Sequence, residues 1–180
     1  MDKGKITNQW LFIADSHYLS ARLLLMHGLY PVALHVAATA TEMYVKCLLL
    51  VKGEDSKEIR KIGHDLGELF KKANIKLAQG VQELVDELKE SYTFNKYPDS
   101  WTGNVEWKER LKDLDNLVHQ LRNHLIEQLQ SGDKEAIQDI IRICKNQGFL
   151  IPDIAGRYGV LTLKDVFLRS NEVFSKFKSI

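Results

Sequence analysis

The stretch that decides the fold is residues 31–52, PVALHVAATATEMYVKCLLLVK. It is apolar almost all the way round. Its polar side chains are not scattered: at about 100° per residue, His35, Thr39, Glu42 and Lys46 fall on one narrow stripe of a helix. A helix apolar on every other side sits in the middle of an assembly, with other helices covering it. The stripe is then either a polar seam facing water or a second chain, or a buried network closed on itself.

Working outward, the preceding helix is predicted to begin near Thr7, as N-cap, and to end at His27-Gly28. Trp10, Ile13, Ala14, His17, Ala21, Leu24 and Leu25 share one of its faces. Leu29-Tyr30 leaves room only for a tight connection, and Pro31 suits the first turn of the next helix, where its missing N–H costs nothing. The two helices should therefore form an antiparallel hairpin. Ala33, Ala37, Ala38 and Ala40 are small and permit close approach of a neighbour.

On the other side, residues 54–63 read as a polar loop. Asp65 is a candidate N-cap for a short third helix with Leu66, Leu69, Phe70 and Ala73 inward. A fourth helix from about Leu77 carries Val81, Leu84, Val85 and Leu88 on one side and stops near Ser91-Tyr92. YTFNKYPDSWTGN follows, an aromatic loop with Pro98 and Gly103 as breakers, expected to pack on the body because several exposed rings would be unusual. A fifth helix, residues 105–130, places Trp107, Leu111, Leu114, Val118, Leu121 and Leu125 on a near-heptad seam with its charges elsewhere.

Ser131-Gly132-Asp133 breaks that helix. A sixth, residues 134–146, turns Ile137, Ile140, Ile141 and Cys144 inward. FLIPDIAGRYGVL reads as irregular, and Thr162 with Asp165 forms a capping box for a last helix whose apolar face holds Val166, Phe167, Val173, Phe174 and Phe177. No strand is predicted. The fold class is all-α: an up-and-down bundle of four to five helices over residues 1–130, with a C-terminal helical extension over 131–180 packing on it.

Composition narrows the function. Of 180 residues, 44% are hydrophobic and 27% charged, which suits a globular domain with a full core. The net charge of +1 is spread along the chain, which excludes a binder that works through a strong general basic field. Cys47 and Cys144 form no C-x-x-C pair and read as buried thiols in a reducing compartment. MDKGKITNQW has no signal-peptide core, and His35, Glu42 and Lys46 argue against a membrane span, since charges at mid-bilayer cost about 2.5–3.5 kcal/mol each. The expectation is a cytoplasmic protein that does not enter a membrane.

Common catalytic signatures are missing: no glycine-rich phosphate loop, no H-E-x-x-H and no G-x-S-x-G. His17, His27 and His35 lack matched partners at ligand spacing, so neither a metal nor a cofactor is expected. Asp15 and His17, and likewise Asp113 and Asp115, are two apart and do not face each other. Glu42 and Lys46 stand i, i+4 in the favourable order for an ion pair. Exposed, they mean little; buried beside His35 or His64, they become a network whose members must all be satisfied.

Three runs in order, GLYPVALHVAATATEMYVKCLLL, GHDLGELFKKA and YTFNKYPD, resemble HEPN domains over residues 8–130. The shared features are an alanine-rich second helix with Glu and Lys at i, i+4, a His-Asp-Leu helix opening, and Tyr-Pro before the last long helix. The resemblance implies a helical bundle, commonly a homodimer, in a toxin–antitoxin or defence context. It further implies a nucleotide, an RNA or a nucleotidyltransferase-like protein as partner. Glu42, Lys46, His64, Asp65 and Tyr97 are the positions that match, and they are the expected ligand-binding residues.

Many HEPN proteins are metal-independent ribonucleases with an Arg followed by a His one and a half to two turns later. Here Arg60 and His64 are four apart, Arg110 and His119 nine, and Arg122 and His124 two. None has that spacing, so the expected role is a non-catalytic binding module and the catalytic residues are unknown. Two alternatives stand beside it. One is a ribonuclease with a non-standard pair, Arg122 and His124, in which His works as general acid/base and Arg steadies the phosphate. The other is a protein-interaction scaffold that docks through its Phe-rich last helix.

Overall fold

The computed structural model describes residues 3–94, 107–129, 150–152 and 160–162. Within these lie α1 (Lys3–Met26), α2 (Tyr30–Val51), α3 (Ser56–Lys61), α4 (Leu66–Ala73), α5 (Gln79–Phe94) and α6 (Trp107–Leu129), then strands β1 (Leu150–Pro152) and β2 (Val160–Thr162). The four long helices make the bundle and α3 and α4 connect α2 to α5. The all-α class stands.

The core is built around α2. Fifteen of its residues are buried, among them Ala33, Leu34, Ala37, Val45, Leu48 and Leu49. α1, α4, α5 and α6 pack against it, with α3 touching its C-terminal end. By length and composition α2 could cross a membrane; in the fold it is the helix the others cover. Its closest neighbour is α1, as the alanines predict: Ala33, Ala37, Ala38 and Ala40 have essentially no exposed surface, and neither do Ala14 and Ala21 opposite.

Local signals set the helix ends. Gly28 takes a left-handed φ of 73°, and its N–H and that of Leu29 close back on the carbonyls of Leu25 and Leu24. This is the cap that glycine makes without a Cβ penalty. Pro31 stands in the first turn of α2. Asp65 accepts from the Glu68 N–H at 2.9 Å and caps α4, as expected.

Several expectations are corrected. Thr7 lies inside α1, which starts at Lys3. Ile13 is exposed, whereas Asp15, Tyr18, Leu19 and Arg22 point into the core. Apolar residues occur all round α1, so periodicity alone does not select its buried face. Asp115 and Arg122 on α6 also turn inward beside the seam of Leu111, Leu114, Val118, Leu121 and Leu125.

Part of the 54–63 loop is helical. Asp55 caps α3 by accepting from Lys57 N–H at 2.7 Å, Glu58 stands in its first turn, Arg60 and Lys61 in its last, and Ile59 is buried. The charges at both ends oppose the helix dipole favourably, and the single apolar anchor is too little to show as periodicity. α5 begins at Gln79 rather than Leu77 and runs to Phe94, past Tyr92.

β1 and β2 pair antiparallel, Leu150 with Thr162 and Pro152 with Val160, where an irregular segment was expected. Thr162 is thus a strand residue. Three residues per strand carry no alternation, and only the pairing defines them. The helix of residues 134–146, the last helix beyond Thr162, Cys144 and the packing of the 131–180 extension lie outside the described residues, as does Tyr97 in the aromatic loop.

Candidate functional site

Two polar constellations run through the core. The first is the predicted stripe. Lys46 Nζ donates to Glu42 Oε1 at 2.6 Å, one turn back on α2. Glu42 Oε2 lies 2.8 Å from His64 Nδ1, in the turn before α4. The Glu42 side chain is 1% exposed and that of Lys46 8%, whereas His64 is 74% exposed. The buried pair is therefore roofed by one accessible imidazole. Thr39, also on the stripe, donates to the carbonyl of His35 at 3.1 Å.

Of the predicted ligand-binding residues, Glu42, Lys46 and His64 come together. Asp65 follows His64 directly, but its carboxylate is occupied in capping α4. A Cβ built on Gly67 would stand 3.2 Å from that carboxylate, so glycine keeps the cap uncrowded. Around this corner α3 and α4 present Lys57, Arg60, Lys61, Lys71 and Lys72 to solvent together with Glu58 and Glu68; Lys61 pairs with Glu58 and Lys72 with Glu54.

The second constellation crosses the bundle and was not anticipated. Asp15 on α1 pairs with Arg122 on α6, and Tyr44 on α2 donates to the same carboxylate at 2.5 Å. One and a half to two turns along, Arg22 on α1 pairs with both carboxylate oxygens of Asp115 on α6, and Tyr18 donates to Asp115 at 2.6 Å. Each helix thus carries Asp and Arg seven residues apart, and the antiparallel arrangement sets each Asp against the other helix's Arg. All four are at most 2% exposed. The D-x₆-R spacing shared by α1 and α6 is the one trace of it in the sequence, and it does not say which charge meets which.

Burial opposes the Arg22 charge, yet Tyr18 and Asp115 beside it hold its pKa above the ordinary value. Burial pushes the Asp115 carboxyl up, against the pull of Arg22 and the Tyr18 hydroxyl. These directions oppose each other over the ion pair. Two donors converging on one carboxylate decide for the charged state. Burial, then the Asp15 charge, raises the Tyr44 phenol well above its usual range, despite Arg122.

The candidate catalytic pair is not assembled. Arg122 is held inward on Asp15, while His124 lies 3.4 Å from Glu127 with its side chain 39% exposed. Two residues apart on a helix, they point in nearly opposite directions. At the other end of the bundle, Tyr30 donates to Glu87 at 2.8 Å, and Arg110 joins Glu87 to Asp113. Among the described residues no group of three or more His, Cys, Asp or Glu is placed to hold a metal.

A family model, the HEPN domain, matches residues 7–146. The chain belongs to the HEPN family. The match runs from the first turns of α1 through α6 and continues past the 130/131 boundary expected from the sequence. No curated protein and no solved structure matches the chain. In this HEPN domain the alanine-rich second helix with its Glu42–Lys46 pair is the central helix of the bundle, and the His64-Asp65 opening joins that pair to α4.

Proposed function

We propose that this HEPN domain is a non-catalytic binding module, dimeric and cytoplasmic, whose partner is a nucleotide, an RNA or a nucleotidyltransferase-like protein in a toxin–antitoxin or defence setting. The observation that carries the ligand reading is the Glu42–Lys46–His64 corner. A buried Glu–Lys pair is neutral in sum, and the imidazole above it is accessible. The His64 ring can turn from Glu42 to an incoming phosphate oxygen and leave Glu42 paired with Lys46. Lys57 and Arg60 on α3 stand within a few residues of it, while Lys61 is already paired with Glu58, so an anion would meet the imidazole of His64 first. Against a ribonuclease stand the missing Arg/His spacing and the inward pairing of Arg122.

The test is titration of nucleotides and short RNA against the wild type, Lys46→Ala and His64→Ala. Weaker binding by both variants supports the corner as the ligand site. Lys46→Ala leaves Glu42 buried without its cation and will cost stability, so the exposed His64→Ala carries the decision. Binding curves that coincide with wild type for His64→Ala would retire the reading. Cleavage of RNA by pure protein, lost in His124→Ala, would overturn the non-catalytic assignment.

A further inference from the structure

α2 is apolar nearly all round, and a helix of that kind is covered on every side. Among the described residues one strip of it is left exposed. Two contacts locate that strip. The Cys47 thiol reaches the carbonyl of Thr7 at 3.6 Å, which sets one edge of α2 against α1. Glu42 reaches His64, which sets the other edge against the α4 side. At about 100° per residue, Val32, Val36, Thr39 and Met43 lie between those edges, and all four are exposed or half-buried. On α1, Ile13, His17, Ser20 and Leu24 line the flank that adjoins the strip, and they too are exposed or half-buried.

None of these eight residues is Asp, Glu, Lys or Arg, in a chain that is 27% charged. The outward faces of α5 and α6 are different: Glu83, Asp86 and Lys89 on the first, Glu109, Lys112 and Glu127 on the second. Phe12, Ile13, Leu29 and Val32 are the large apolar side chains most exposed among the described residues, and all belong to the α1–α2 hairpin. An apolar groove of this kind is a surface that something covers. Val32 to Met43 is eleven residues, as is Ile13 to Leu24, so the groove is about 17 Å long. That is the size of one short helix and falls short of a subunit interface.

The chain holds a segment of matching size. Beyond β2, Val166, Phe167, Val173, Phe174 and Phe177 share one face at helical spacing, and Val166 to Phe177 is again eleven residues. Ser170 stands mid-stripe, with Asp165, Arg169, Glu172 and Lys176 on the opposite side. The HEPN match ends at residue 146, so this segment lies outside the unit the family defines. We infer that residues 163–180, folded as that helix, lie in the groove between α1 and α2 of the same chain and cover the outer strip of α2. Ser20 and Thr39, both small, leave room for phenylalanine rings between their apolar neighbours. The charged side of the segment then gives this face the polar surface that α5 and α6 already have. The twenty residues between Leu129 and Leu150 alone could span about 65 Å, so the tether reaches the groove. The other amphipathic run, residues 134–146, offers a stripe from Ile137 to Cys144 of only about 11 Å, too short for the strip. Docking within one chain takes up the Phe-rich stripe, which is then not offered to a partner protein.

The experiment follows single cysteines in the full chain, in a Cys144→Ser background where Cys47 is buried. Ser20→Cys is treated with a thiol reagent with and without Phe174→Asp, and Glu83→Cys on α5 is the reference. Ser20→Cys is expected to react about tenfold more slowly than the reference, and Phe174→Asp to restore the reference rate while the bundle stays folded. A Ser20→Cys thiol as reactive as the reference overturns the inference, as does protection that survives Phe174→Asp. Protection that fades on dilution from a mass of twice 20.7 kDa would give the groove to a second copy and overturn docking within one chain. Should Phe174→Asp fail to fold, spin labels on Ser16→Cys and Asn171→Cys decide, with labelled protein diluted in unlabelled. One short distance within a chain supports the contact, and a long, broad distribution rejects it.

Discussion

Asp15 accepts from the guanidinium of Arg122 across the α1–α6 contact, and seven residues on along α1 and seven back along α6 the roles are reversed, with Arg22 on α1 and Asp115 on α6. The antiparallel register of the two helices is written into this exchange. Sliding α6 by one turn would separate both pairs and leave four charges in the core. Removing one member alone should therefore cost far more than removing a pair.

Arg22→Met is expected to lose about 3–5 kcal/mol, since it leaves the Asp115 carboxylate buried without its cation. Arg22→Met with Asp115→Leu should recover most of that loss, because two apolar side chains replace two desolvated charges. Urea unfolding of the three proteins checks it. A double variant no more stable than the single one would refute the account.

Tyr44 sets an alkaline limit. Its phenol is fully buried and its pKa raised by burial and by Asp15, while in the unfolded chain it ionises near its ordinary value of about 10. Above that pH the unfolded state binds fewer protons than the folded state, so stability falls as pH rises. Below it the contribution is fully present. Phenolate absorbance from Tyr44 should appear together with the loss of helical circular dichroism, and Tyr44→Phe should remove that component of the absorbance. Tyr44 ionising while the helices persist would contradict its placement.

Cys47 is completely buried in α2, and burial first, with Asp15 adding, pushes its thiol pKa up. The thiolate is the reactive form. In a Cys144→Ser background the folded protein should therefore react with an aromatic disulfide reagent only at the rate of its own opening, and stoichiometrically once denatured. Rapid modification under native conditions would count against the core position of α2.

At the 64–65 corner the two neighbours should separate cleanly. Asp65→Ala removes the cap of α4 and is expected to cost about 0.5–2 kcal/mol. His64→Ala, on a largely exposed ring, should cost well under 1 kcal/mol, although it uncovers Glu42. Thermal melts distinguish them. A larger loss for His64→Ala would mean that the roof over the Glu–Lys pair is structural before it is a ligand contact.

The sequence by itself determined the centre of this protein. Residues 31–52 are apolar round nearly the whole helix, so they had to be enclosed, and the hairpin before them follows from Gly28 and Pro31. The Glu42–Lys46 pair and the Asp65 cap are likewise legible, because each depends on residues within one turn of each other. Only the tertiary structure decided which side of α1 is buried, since its apolar residues leave no clear stripe and the choice falls to Asp15 and Arg22 finding partners on α6. The Asp15–Arg122 contact spans 107 residues of chain. No local spacing selects that pairing: buried charges must be matched, but which charge meets which is set by how the helices pack.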